Sequence, residues 1–137
     1  MIYVDSDVLI HYFFMQDPAK QAIAIQRIQN AAALNQVTIS VISLQEISFV
    51  LSRLKIPLPD INQIISVLKG FNPLPVTVAD FQRAETFAQS IGFQNINDCI
   101  HTTIAENHCM ELITFNHADF KKIQPLISYR LCNFPIL

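Results

Sequence analysis

Four acidic residues far apart in the chain, Asp5, Glu46, Asp98 and Asp119, share one kind of address: each lies where a stretch with the pattern of a β-strand hands over to a helix. In an open α/β sheet the crevice outside the carboxyl ends of the strands is where ligands and reacting groups gather. Carboxylates crowded there repel one another unless something neutralises them, and hard oxygen donors select Mg²⁺ or Mn²⁺. Mg²⁺ keeps several waters and takes one or two carboxylates together with substrate phosphate, which suits phosphodiester chemistry. With two such ions, one generates the attacking hydroxide and the other stabilises the leaving oxygen, so no protein nucleophile is required.

Each acid also has a purely structural reading. Asp5 follows the apolar run Met1-Ile2-Tyr3-Val4 and is well placed to cap the helix beginning near Asp7. Glu46 completes a capping-box pattern, Ser43-Leu44-Gln45-Glu46, in which it would reach back to the Ser43 amide. Asp98 opens a helix, where the dipole favours an acid, and Asp119 is able to cap a segment starting at Phe120. The shared placement of the four is the stronger signal. Asp7, Thr114 and Asn116 flank the same edge and are read as supporting residues. Of the histidines, His11, His101, His108 and His117, none has a visible fixed partner, and His117 draws attention through its place between Asn116 and Asp119.

The elements that must carry these residues alternate. Strands are expected at the first apolar run, at Val37–Val41, near Val76 between Pro73 and Pro75, and at 111–114, with a fifth at Tyr129–Cys132. Helices are expected over Val8–Phe14, Lys20–Leu34, Ser43–Leu54, from Asp60 to Lys69, over Thr77–Ile91 and over Asn97–His108, with stops at Asn35, Gly70 and Gly92. Such alternation predicts an α/β fold with a central, mostly parallel four- to five-stranded sheet covered by helices on both faces. A chain of 137 residues is the size of a single domain, residues 1–137, able to bury a core without disulfides. Its three cysteines, at spacings that fit no zinc pattern, point to a reducing cytoplasm. The longest uncharged run is interrupted by too many polar residues to span a membrane.

The formal net charge of −2 would argue against a nucleic-acid partner, but setting aside four acids for metal leaves the bases in excess. Charged residues are only 15% of the chain, well short of the roughly 25% usual for soluble domains. That leaves an apolar surface suited to covering by another chain. Lys20, Arg53, Lys55, Lys121 and Lys122 are candidate phosphate contacts, with solvated surface charge as the alternative for each. The phenylalanines, among them Phe49, Phe81 and Phe87, are expected in the core or at an interface rather than stacked on bases.

Together, Tyr3-Val4-Asp5-Ser6-Asp7-Val8-Leu9-Ile10, Ser43-Leu44-Gln45-Glu46-Ile47, Asn97-Asp98-Cys99-Ile100 and Thr114-Phe115-Asn116-His117-Ala118-Asp119-Phe120 resemble, in order and spacing, the PIN-domain proteins and, among them, the VapC toxins of bacterial toxin–antitoxin pairs. The resemblance implies a three-layer α/β/α fold and a metal-dependent endoribonuclease with Asp5, Glu46, Asp98 and Asp119 at the acidic positions. It leaves open whether Asn116 or Asp119 completes the set, since many members carry an acid at the position of Asn116. It also implies RNA, such as tRNA, as substrate, a homodimer, and neutralisation by an antitoxin protein. Two other readings stand beside it. Asp5-Ser6-Asp7 after an apolar strand also resembles the nucleophile motif of haloacid-dehalogenase-like phosphatases, and a PIN-like module inactivated through Asn116 would bind RNA or protein without cutting.

Overall fold

In the computed structural model, residues 1–14 and 16–127 are described. Strand β1 (Ile2–Val4) leads into helices α1 (Ser6–Phe13) and α2 (Pro18–Ala33), and β2 (Val37–Ser40) into α3 (Val41–Arg53) and α4 (Leu58–Lys69). Strand β3 (Pro73–Leu74) leads into α5 (Val78–Ile91), a short 3₁₀ turn and α6 (Ile96–His108), and β4 (Glu111–Ile113) into α7 (His117–Ile123). All four strands are parallel, in the order β3-β2-β1-β4. The chain therefore builds outwards from β1 through β2 to β3, then crosses back to lay β4 on β1's other side. The direction of strand order reverses between β1 and β4, the place where open α/β sheets gather ligands at the carboxyl ends of their strands.

The strand period of two distributes the core. Tyr3 and Leu112 are register partners on one face, where they pack with Ala84, Phe87, Ile100, Ile104 and Phe120 from α5, α6 and α7. Val4 and Ile113, the next pair, point to the other face and join Ile39 from β2 and Val8, Leu9, Ile28, Ile47 and Leu68 from α1 to α4. Helices thus cover both faces, and the architecture is the expected three-layer α/β/α. Local signals set the helix ends: the Asp17 side chain accepts from the Ala19 and Lys20 amides ahead of α2, and Thr77 and Asp80 bond reciprocally at the start of α5. Gly92, at φ 105°, takes a conformation that other residues adopt only with strain as it closes α5.

Several expected boundaries move. The helix expected to open at Ser43 begins at Val41, because Ser40 is the cap and its amide donates to Ser43 Oγ at 3.2 Å. The capping box thus lies one turn earlier than the Ser43/Glu46 pattern suggested, which releases Glu46 from that duty. Strand β3 forms at Pro73–Leu74 rather than near Val76, paired with Ile39 and Ser40. Helix α4 starts at Leu58 after Pro57, so Asp60 lies in its first turn instead of capping it. Helix α7 starts at His117 and includes Asp119, which is therefore not the cap of a segment at Phe120. The strand expected at Tyr129–Cys132 lies outside the described residues. Among the phenylalanines, Phe87 is core, whereas Phe49 and Phe81 are exposed on α3 and α5.

Cys99 and Cys109 are buried free thiols, both pushed up to about 11 by burial, with Asp98 adding to the shift at Cys99. They belong to the apolar core rather than to any chemistry. No helix among the described residues is long and apolar enough to cross a membrane. Leu112 is fully buried between sheet and helices, so Leu112→Ala should cost about 2–5 kcal/mol in urea unfolding. Phe49→Ala, at a site 62% exposed, should stay within about 0.5 kcal/mol of the parent.

Candidate active site

Asp5 sits at the seam where β1 meets β4. Its amide continues the ladder by donating to Ile113 O at 3.0 Å, so the residue is held before its side chain makes any contact. One carboxylate oxygen accepts from the Ser6 amide and the other from Thr114 Oγ1, each at 2.8 Å. The cap reading and the site reading are therefore both true of Asp5. Thr114 Oγ1 in turn accepts from the Asn116 amide at 2.9 Å, and the Asn116 side-chain amide donates to Asp119 Oδ2 at 2.9 Å. A hydrogen-bonded thread thus runs from Asp5 through Thr114 and Asn116 to Asp119.

Asp98 lies in the first turn of α6, and its surroundings show what it faces. Burial is the largest cause holding its carboxyl up at about 7, followed by the charge of Asp5; Asp119 and Glu46 add to the shift, and His101 opposes it. Asp5, Glu46 and Asp119 therefore all lie close enough to Asp98 for their charges to act on it. They do so at electrostatic range: among the described residues no three His, Cys, Asp or Glu side chains are drawn together tightly enough to form a cation site as they stand. As a donor set, four carboxylates beside the amide oxygen of Asn116 suit a hard divalent cation.

Asp7 is placed differently. Both of its oxygens accept from the Phe115 amide, at 3.2 and 3.4 Å, which ties α1 to the turn after β4. Burial, and then the charge of Asp5, raise its pKa well above the ordinary carboxylate range, so it is a protonated brace at neutral pH. Its role is support from behind Asp5.

Glu46, on the second turn of α3, takes contacts from Ser6 Oγ at 3.3 Å and from His101 Nε2, both on Oε1. His101 is the residue that inspection of the sequence passed over. It is fully buried one turn beyond Asp98, with Nε2 also 3.8 Å from Asp5 Oδ1 and Nδ1 2.6 Å from the Tyr3 hydroxyl. Burial opposes its charge, but Tyr3, Glu46 and Asp5 outweigh burial and raise its pKa well above the ordinary histidine value. The signal that would have found it is the spacing Asp98-Cys99-Ile100-His101, which puts both side chains on one helix face. His117, to which the sequence drew attention, has a buried Nε2 with no hydrogen-bond partner among the described residues.

Of the candidate phosphate contacts, Lys20 lies over the Phe115 ring, 5.5 Å from its centroid, and Lys122 reaches Asp119 at 3.5 Å, so both stand at the cleft. Lys121 is exposed on α7 beside them. Arg53 and Lys55 do not join this group. Seven residues of helix, about 10 Å of rise, separate Arg53 from Glu46, and Arg53 lies over the exposed Phe49 instead. A cavity of about 210 Å³ lined by Ile2, Arg27, Asn30, Gln36 and Glu111 opens at the opposite, amino-terminal edge of the sheet, away from the acids.

Comparison with known protein families matches residues 2–125 to the PIN domain. No curated protein matches.

The acid cleft has a thermodynamic signature. Asp98 keeps its proton in the folded state up to about pH 7 but releases it near pH 4 when unfolded, so the folded state binds more protons across that window. Stability must therefore fall as pH rises from about 4 to 7, and the raised pKa values of Asp7 and His101 act in the same direction. In metal-chelated buffer at pH 7.5, Asp98→Asn should melt about 3–6 °C higher than the parent, the equivalent of about 1 kcal/mol, with the gain vanishing near pH 4. Thermal melts across pH check it.

Proposed function

Because the chain belongs to the PIN-domain family, whose members are generally nucleases and typically depend on divalent metal, we propose that it is a Mg²⁺- or Mn²⁺-dependent endoribonuclease. The observation that carries this reading is the gathering of Asp5, Glu46 and Asp119 around Asp98, where burial first and then the charges of the other acids raise Asp98 to about 7. In this reading Asp5, Asp98, Glu46 and Asp119 hold the cation, and Asn116, Thr114 and Asp7 support them. The bond from the Asn116 amide to Asp119 favours Asp119 as the fourth acid, with Asn116 as its holder. When bound, the cation supplies Lewis-acid charge for the phosphoryl oxygens and makes a water acidic enough to deliver hydroxide.

The protein's own residues account for the rest. The bonds from Thr114 Oγ1 and the Ser6 amide keep the Asp5 carboxylate fixed at the carboxyl end of β1. Lys20, Lys121 and Lys122 at the rim draw and seat the RNA backbone, and Phe115 beneath Lys20 sets the height of that rim. Single-stranded loops, of which tRNA offers several, are the substrate such an open edge accepts most readily. The toxin reading, a VapC-type protein paired with an antitoxin in the bacterial cytoplasm, draws on the motif resemblance and the low charged content. The exposed Phe49 and Leu58, on neighbouring helices α3 and α4, give a protein partner or a second copy apolar area to cover. One sheet with a core on each face favours treating residues 1–137 as one unit. The phosphatase alternative loses ground: Asp5 is 5% exposed and has both oxygens engaged, a poor setting for a nucleophile.

Purified protein should cleave RNA in Mg²⁺ or Mn²⁺ and stop on chelation. Asp5→Asn and Asp98→Asn should each lower the cleavage rate at least about a hundredfold, equivalent to about 3 kcal/mol of barrier. Undiminished cleavage by either variant overturns the assignment, and RNA binding without cleavage in any metal favours the inactive-module reading. Lys20→Ala should weaken RNA binding about uniformly across sequences and lower its salt slope by about one.

A further inference from the structure

We propose that His101 is a positioning residue that holds Glu46 by one carboxylate oxygen and leaves the other for the cation. The inference rests on the nuclease reading above. Glu46 needs such a hold: its side chain is 28% exposed, long, and projects from the second turn of a surface helix, so solvent would otherwise scatter it among rotamers. Among the described residues, the hydrogen bonds on it, from Ser6 Oγ and from His101 Nε2, both land on Oε1. Oε2 is the oxygen they leave.

The imidazole is itself immobile. Nδ1 meets the Tyr3 hydroxyl at 2.6 Å, and that hydroxyl donates to Ser40 Oγ at 2.8 Å. His101, Tyr3 and Ser40 are all fully buried. The sheet therefore reaches Glu46 through a relay of side chains, Ser40 to Tyr3 to His101 to Glu46, drawn from β2, β1, α6 and α3. His101 does not meet solvent and so does not meet substrate, which separates its role from that of a general acid or base. The same Nε2 stands 3.8 Å from Asp5 Oδ1, so one ring is in reach of both carboxylates.

The test is Mn²⁺ binding, followed by calorimetry and by the electron paramagnetic resonance of the ion, with no RNA present. An Asn side chain matches the Nδ1 half of imidazole and stops short of Glu46, whereas Gln places an N–H near the position of Nε2. His101→Asn should weaken Mn²⁺ affinity about ten- to a hundredfold, and His101→Gln should return it to within about threefold of the parent. In a Glu46→Gln background, His101→Asn should change nothing further, because the carboxylate it positions is gone. Tyr3→Phe, which removes only the hydroxyl behind the ring, should give a smaller loss in the same direction.

A folded His101→Asn protein with parental affinity overturns the proposal, as does a loss of equal size with and without Glu46. If His101→Asn does not fold, Tyr3→Phe decides, and unchanged affinity there overturns it. Asp98→Asn separates the two readings. If Asp98→Asn also binds Mn²⁺ like the parent, the cation site itself is wrongly assigned; if it loses binding while His101→Asn does not, only the positioning role fails.

Discussion

Repulsion among carboxylates governs this molecule. Asp5, Glu46, Asp98 and Asp119 occupy one end of a sheet whose helices shield it from water, and burial there makes each negative charge costly to its neighbours. The fold offsets the repulsion with a few fixed donors: the Ser6 amide and Thr114 hydroxyl on Asp5, the Asn116 amide on Asp119, and the His101 ring on Glu46. What remains unbalanced appears in Asp98, which holds a proton near neutrality, and in Asp7, which keeps one against the backbone of Phe115. A divalent cation would discharge the same imbalance, so the stability of the scaffold and the chemistry of the cleft are two expressions of one electrostatic fact.

The geometry that permits the crowding is the reversal of strand order. Had β4 added beyond β3, Thr114, Asn116 and Asp119 would stand two strands away from Asp5. Because it returns to the free edge of β1, register brings Ile113 beside Val4, and the residues after each strand fall together. The apolar alternation in β1 and β4 then serves both the core and the site, since the phase that buries Tyr3 and Leu112 on one face also fixes where Asp5 and Thr114 emerge.

Much of this was legible from residue order. The alternation of strand and helix, the parallel sheet and the place of Asp5 at a strand's end follow from periodicity and turn chemistry, which are local properties; Asp98, expected at a strand-to-helix passage, follows α5 and a 3₁₀ turn instead. What escaped was non-local. Glu46 looked like a capping residue because Ser43 precedes it by three, and only the register of β2 reveals that Ser40 takes the capping duty. His101 looked like any helical histidine because its partners, Tyr3 and Glu46, are 98 and 55 residues distant. Arg53 and Lys55 were grouped with the cleft by charge type alone, and helix length separates them from it.

The Thr114–Asp5 bond joins residues 109 positions apart, and it closes the sheet at the place where the acids meet. A chain still being synthesised already carries Asp5 and Glu46, and soon Asp98, but Asp5 lacks its Thr114 partner until β4 lies beside β1. A contact spanning so much of the chain carries a loop-closure cost that the local turns of the helices do not. The pairing of Asp5 with Thr114 is thus withheld until nearly the whole polypeptide exists, and a ribosome-bound fragment lacking β4 carries Asp5, Glu46 and Asp98 without Thr114 or Asp119.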